Sequence, residues 1–240
     1  MPEIKRRQPG AYATSPFQMI QPGAEGYPER LQHIDAPPDL WVKGELPAQM
    51  RGVTCVGTRK PTRWGRVVTE RIVRRLVEEG YSIVSGLALG IDALAHEAAL
   101  DAGGHTVAVL PCSIDQLYPK CHRDLAERIL ASGGALVSLF APGSKMNRGS
   151  FIRRNRIQSG LSVGTVVMQC AKDSGTLHTA RFAQEQGRLL CAAKPQGRYA
   201  LETQSQGNLE LLEQPGSLVL RSREDYPELL GRLRELSISA

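Results

Sequence analysis

No stretch of the 240-residue sequence stays apolar for the roughly 20 residues a membrane-crossing helix needs. The opening MPEIKRRQPG also lacks the apolar stretch of a secretory leader. A membrane partner is therefore not expected, and the sequence reads as cytoplasmic. Cysteine is sparse: Cys55, Cys112, Cys121, Cys170 and Cys191 stand far apart, with no C-x-x-C and no matching histidine spacing, so no metal site is expected. Their odd number suits a reducing compartment. Cys55, Cys170 and Cys191 lie in apolar runs where a small thiol packs as core. No G-x-G-x-x-G follows the first strand-like run and no acidic residue ends the second at Ser85, which argues against a dinucleotide-dependent dehydrogenase and leaves no cofactor expected. No internal repeat is visible.

What the sequence does contain is ordinary globular material, 41% hydrophobic and 22% charged, enough to bury one sizeable core. Thirty Lys and Arg against 24 Asp and Glu give a formal charge of +6. That balance favours polyanionic partners without specifying one, so the location of the charge matters more. Residues 1–16 are rich in Pro, Gly and basic side chains and read as a flexible basic arm. Residues 17–46 are interrupted by prolines and read as an ordered strap.

After Pro47, near-continuous apolar runs (GVTCVG, YSIVSG, HTVAVL, ALVSLF, SVGTVVMQC, RLLCAAK) alternate with helical patterns. Strands of that kind suit a parallel sheet covered on both faces. Trp64, Val68, Ile72 and Leu76 recur every four residues with arginine and glutamate opposite, which predicts an amphipathic helix ended by Gly80. Further helices are expected over about 91–102, 122–131 and 176–186. The alternation implies an α/β fold, an extended Rossmann-like three-layer α/β/α sandwich with a mainly parallel sheet. Residues 17–222 would form this core. SLVLRS is a further strand candidate, and 223–240 form a C-terminal helix packed on the core or trailing it.

Ligands of such sheets sit at the carboxyl ends of the strands. There the first strand of the series runs into Gly57, Thr58, Arg59 and Lys60, the second into Ser85 and Gly86, and the fifth into Asp173, Ser174, Gly175 and Thr176. Glycine turns opening helices suit anions, and Arg59 adds a planar fork for phosphate. Capping alone also accounts for Asp173 or Ser174, and Asp92 is suited to cap the helix that carries His96. His96, with no second ligand in reach, reads as noncatalytic. The densest basic segment runs from Asn147 to Ile157, with Arg148, Arg153, Arg154 and Arg156 around Asn155 and Phe151. If helical, it offers repeated forks to a nucleic-acid backbone and a ring for a base. Alternatively its arginines pair with carboxylates elsewhere.

YPERLQHIDAPPDLWVKGEL, GTRKPTRWGR, VSGLALGIDALAHEAAL, FIRRNRIQSGLS and SGTLHTARFAQEQGR occur in that order. On these motifs the chain resembles the DNA-processing protein A (DprA/Smf) family over roughly residues 18–222. The resemblance implies sequence-tolerant binding and protection of single-stranded DNA, delivery to a RecA-type recombinase in natural transformation, no catalytic turnover, and a homodimer. It implies phosphate contacts at Arg59, Lys60, Arg153, Arg154 and Arg156, with Thr58 and Asn155 also among the nucleic-acid-binding residues and Ser85, Gly86, Ser174, Gly175 and Thr176 lining the pocket. The chain resembles the family's bare core without flanking domains. Ser138-Leu139-Phe140 stands where the family has Ser-Glu-Tyr, and FIRRNR replaces FPRRNR. The competing enzyme class shares the fold: phosphoribohydrolases with P-G-G-x-G-T-x-x-E, whose glutamate position here holds Thr179, removing the acid/base carboxylate. A nucleotide-binding module using the same rim is the third reading.

Overall fold

The computed structural model describes residues 16–238, so nearly all of the expected basic arm lies outside the described residues. The proline-broken leading segment is more than a strap. It forms β1 (Gln18–Ile20), the one-turn helix α1 (Glu29–Gln32) and β2 (Leu40–Gly44). Strand β2 pairs antiparallel with a strand almost a hundred residues away, setting Trp41 against Ser138 and Gly44 against Ala135. Such an edge strand leaves no local pattern when its partner is remote, and Pro37 and Pro38 sit just ahead of it, where no ladder N–H is needed.

The apolar runs then alternate with helices as their texture requires. In chain order come β3 (Gly52–Gly57), α2 (Arg63–Glu78), β4 (Ser82–Ser85), α3 (Ile91–Asp101), β5 (Thr106–Val109), α4 (Arg123–Ala131), β6 (Ala135–Ser138), α5 (Arg148–Gly160), β7 (Ser162–Gln169), α6 (Thr176–Glu185), β8 (Leu189–Ala193), α7 (Gln206–Leu212), β9 (Leu218–Leu220) and α8 (Tyr226–Ile238). Among the described residues they make one sheet in the order β1-β2-β6-β5-β4-β3-β7-β8-β9, parallel from β6 to β9. The chain steps outward from β3 to β6, then returns to place β7 on the other side of β3.

Successive side chains of each strand feed opposite faces. Val53 and Cys55 of β3 pack with Ile72 and Leu76 of α2 and Leu233 of α8, while Val56 meets Ala180 of α6 and Leu211 of α7. Ala108 and Leu136 meet Leu125 and Ile129 of α4, whereas Val107 and Val109 meet Ile157 of α5. The layers are thus α2, α3, α4 and α8 on one face and α1, α5, α6 and α7 on the other. No helix among the described residues is long and apolar enough to cross a membrane.

The carboxyl end of the sheet is held by one buried amide. Asn208 accepts from the Cys170 N–H at 2.6 Å and donates to the Ala193 carbonyl at 2.8 Å and the Met168 carbonyl at 3.2 Å, locking α7 across the ends of β7 and β8. Asn208→Ala would leave these backbone groups unpaired in a fully buried site. We expect it to cost about 2 to 4 kcal/mol, read as a lower urea midpoint with an unchanged m-value.

Candidate nucleic-acid interface

β3 and β7 are parallel neighbours, yet the helices that follow them, α2 and α6, cover opposite faces of the sheet. Their leading loops must part, and a crevice opens between them at the topological switch point. Gln169, the last residue of β7, fixes its width. Its carbonyl accepts the Thr58 N–H at 2.6 Å and its side-chain oxygen accepts the Thr62 N–H at 3.0 Å. Its amide donates to the Thr62 and Ser205 hydroxyls at 3.0 and 2.9 Å. The sequence reading missed Gln169; the only signal was a polar residue closing an apolar strand. Gly90, at φ +80°, lets the third loop close over the first, since a Cβ there would lie 2.4 Å from the Thr58 carbonyl.

The resulting cleft has a volume of about 450 Å³. It brings together Thr58, Arg59 and Lys60 from the loop after β3, Phe151, Arg154 and Asn155 from α5, and Ser174, Gly175 and Thr176 from the loop after β7. Asn147 and Ser150 start α5 with reciprocal side-chain-to-backbone bonds of 3.1 Å, and Asn155 donates to the Gly175 carbonyl at 3.1 Å, docking α5 against the α6 entrance. The Ser174 hydroxyl accepts the Thr176 N–H at 3.2 Å just ahead of α6, whose cap position is held by Gly175 without a side-chain cap. α3 has Gly90 at its cap position, so Asp92 is not the capping residue and lies within the first turn.

Asp92 instead faces Arg154, 3.7 Å away, with both side chains under a tenth exposed. Burial pushes the Asp92 carboxyl above its ordinary range and the guanidinium below its own, and their mutual attraction opposes both shifts. The carboxylate also accepts the Gly86 N–H at 3.1 Å, and Arg154 donates to the Val109 carbonyl at 3.4 Å. Gly86 makes the room: a Cβ on it would stand 1.2 Å from the arginine Nη1.

The other arginines divide by environment. Arg59 and Lys60 are exposed at the cleft mouth and make no ion pair among the described residues. The Arg59 guanidinium lies 5.7 Å from the centre of the Phe151 ring. Arg153 is exposed and lies 5.0 Å from the centre of the Phe140 ring, outside the cleft lining. Arg156 turns away toward Asp35 at 3.7 Å and the Ala36 carbonyl at 3.5 Å. Ser85 is fully buried, its hydroxyl donating to the Cys55 carbonyl at 2.7 Å. Carboxylates for the segment Asn147 to Ile157 thus come from Asp92 and Asp35, both remote in sequence.

A model of the family described as DNA recombination-mediator protein A matches residues 18–231. The chain belongs to that family. It is 44% identical to Protein Smf of Synechocystis over 177 residues, which are 71% of this chain and 44% of the Synechocystis protein. The chain therefore spans under half the length of that relative. The structure of Streptococcus pneumoniae DNA processing protein A superposes with a TM-score of 0.79 at 34% identity, covering 88% of this chain and 74% of that one. The structure of Helicobacter pylori DNA processing protein A, which concerns a single-stranded DNA binding mode, gives 0.79 at 28% identity over 92% of this chain and 98% of that one.

Against the family's pattern, Leu139 is half-buried and packs against the core beside β6, where a carboxylate would be poorly solvated. Thr179 lies in the cleft wall, and the carboxylates lining that cleft are Asp92, already paired, and Asp173. No group of three or more His, Cys, Asp or Glu among the described residues could hold a metal ion. His96 lies beneath the cleft, fully buried, with Nδ1 2.7 Å from the Thr106 hydroxyl and no partner for Nε2. Burial, aided by His122 and Arg154, lowers its pKa from 6.5 to about 3.

Two expectations follow from these environments. Asp92→Ala leaves a buried guanidinium unpaired and should cost about 3 to 5 kcal/mol, whereas Arg153→Ala at an exposed site should cost under about 0.5 kcal/mol; urea titration of both variants checks the contrast. His96 binds a proton in the unfolded chain below pH 6.5 but not in the fold, so its neutral burial favours folding above that pH and opposes it progressively on acidification. Relative to His96→Gln, the wild type should lose about 2 kcal/mol of stability between pH 7 and pH 5, measured by denaturant midpoints across that range.

Proposed function

We propose that the chain binds single-stranded DNA across the switch-point cleft, without turnover, and hands it to a RecA-type recombinase, working as a cytoplasmic homodimer. The observation that carries this reading is the pairing of Arg59 and Lys60, charged and making no ion pair among the described residues, with the Phe151 ring directly behind Arg59. A single strand offers phosphates and unpaired bases together, and such a site answers both. Leu89, Tyr118 and Met146, three of the eight exposed large hydrophobic residues among those described, lie around the same edge and suit bases rather than a duplex backbone. Thr58, Asn155, Ser174, Gly175 and Thr176 complete the proposed contact set in the cleft, with Arg153 on the adjoining exposed face. In this reading Arg154, Gly86 and Ser85 shape the site from beneath, and Arg156 ties α5 to the leading segment. The structure of the Helicobacter relative concerns its binding of single-stranded DNA, which supports the same ligand here.

A free nucleotide is the second reading, favoured by the cleft volume, which lies within the range of small-molecule sites. Hydrolysis of a glycosidic bond is disfavoured because Thr179 stands at the glutamate position of that enzyme class and Asp92 is committed to Arg154.

Fluorescence anisotropy of labelled oligothymidine and of a matched duplex across a salt series tests the proposal. The single strand should bind preferentially, and Arg59→Ala/Lys60→Ala should flatten the plot of log affinity against log salt by about 1.4, for two phosphates at about 0.7 each. Arg156→Ala should leave that slope unchanged. Absence of single-strand binding at low salt, or stoichiometric nucleotide binding that excess oligothymidine does not displace, would overturn it.

A further inference from the structure

Leu87, in the loop between β4 and α3, holds a φ of +56°. This is the left-handed region, where a Cβ crowds the backbone and glycine usually stands. Other residues stay there only where their surroundings over-determine them, and such positions gather at functional sites. The constraints on Leu87 come from three sides. Its side chain is fully buried in the cluster that holds Ala108, Leu110 and Ile114. On either side of it, the Gly86 and Ala88 N–H groups donate to the Asp92 carboxylate. Its own carbonyl accepts a hydrogen bond from His122 Nδ1 at 2.7 Å. His122 occupies the cap position of α4, where a side chain ordinarily closes its own helix, yet it makes no cap bond. The ring is turned to Leu87 instead. Resting on the reading of the cleft as a single-strand site, we infer that His122 is a positioning residue for that site. It holds Leu87 left-handed and thereby sets Ala88 and Leu89 at the cleft mouth, without touching the strand itself.

Because the Leu87 side chain is fixed in the core, a return of its φ to the common negative region would swing the residues that follow. Ala88 comes first, and it lines both the cleft and the small pocket of about 30 Å³ beside it. Leu89 comes next, 48% exposed, an apolar side chain held out beside Arg59 and Phe151 in the wall of that pocket. The remainder of the turn is tied down by backbone: the Ala93 N–H donates to the Ala88 carbonyl and the Ile91 N–H to the Thr58 carbonyl, each at 3.1 Å. Among these ties, His122 is the side chain that arrives from a distant element, 35 residues from Leu87 along the chain. Left-handed backbone costs a residue with a Cβ about as much as one good hydrogen bond contributes. Loss of the His122 bond therefore shifts the population of the loop, while the burial of Leu87 and the bonds to Asp92 keep the fold.

Anisotropy of labelled oligothymidine, at fixed salt and across a salt series, tests this with His122→Ala, His122→Asn, Leu89→Ala and His122→Ala/Leu89→Ala, urea midpoints showing that each is folded. The asparagine amide nitrogen stands as many bonds from Cβ as histidine Nδ1, so that variant keeps the donor. His122→Ala should weaken binding by about tenfold with an unchanged salt slope, as the share of molecules with a competent loop falls, and His122→Asn should return it to within about twofold of the wild type. Leu89→Ala should weaken binding as well, and the double variant should lose less than the two losses combined, because His122 acts through the placement of Leu89. Should His122→Ala be unfolded, His122→Gln, whose amide stands one bond too far along, carries the same expectations. Unchanged affinity without the histidine, additive losses, or no recovery with asparagine would overturn the inference. So would a slope smaller by about 0.7, which would make His122 itself a phosphate contact. Failure of the wild type to bind any oligothymidine would instead overturn the reading of the cleft, and this inference with it.

Discussion

A guanidinium placed under a cleft must be neutralised where it lies, and much of the site's architecture follows from how Arg154 meets that condition. Its carboxylate comes from Asp92, which requires α3 to begin beside β4; its space comes from Gly86, where any side chain would collide with it. A buried pair of this kind yields little net stability compared with an apolar substitute, but breaking it is costly. The pair therefore acts chiefly as a registration device. It sets α5 and α3, which lie on opposite faces of the sheet, at a defined height around its carboxyl edge. The polar character of α5, which buries Asn155, Gln158 and Ser159 as well as Arg154, is consistent with a helix chosen for what it positions rather than for how much oil it buries.

With that frame in place, the charge that faces solvent differs in kind from the charge that holds the fold. Arg154 and Arg156 are occupied by Asp92 and Asp35, whereas Arg59 and Lys60 stand at the mouth with no ion pair among the described residues. The formal charge of +6 says nothing of this division. Counterion release acts only through the cations that a phosphate can approach, so a few placed residues outweigh the total. The aromatic and aliphatic side chains along the same edge supply the second half of the proposed single-strand site, because unpaired bases carry flat apolar faces that a duplex hides.

The sequence by itself determined the layered α/β fold, because continuous apolar strands and four-residue helical periods follow from which faces must be buried, and both are local properties. The helices over 63–78, 91–101 and 176–185 and the strands from Gly52 to Ala193 were legible for that reason. So were the loops that meet at the edge, since glycine and small polar residues after a strand mark where a helix end can face a ligand. The five ordered motifs likewise placed the chain in its family, because their residues and order survive in a linear string.

Tertiary structure alone decided which arginines are available. Arg153, Arg154 and Arg156 are near neighbours in sequence, yet one is exposed, one buried and one drawn to the leading segment, because a helix turns successive residues by about 100° and partners arrive from other elements. The edge strands β1 and β2 and the bridging role of Gln169 were equally hidden. Each depends on segments tens to more than a hundred residues apart, and no local pattern records which of them the sheet will bring together.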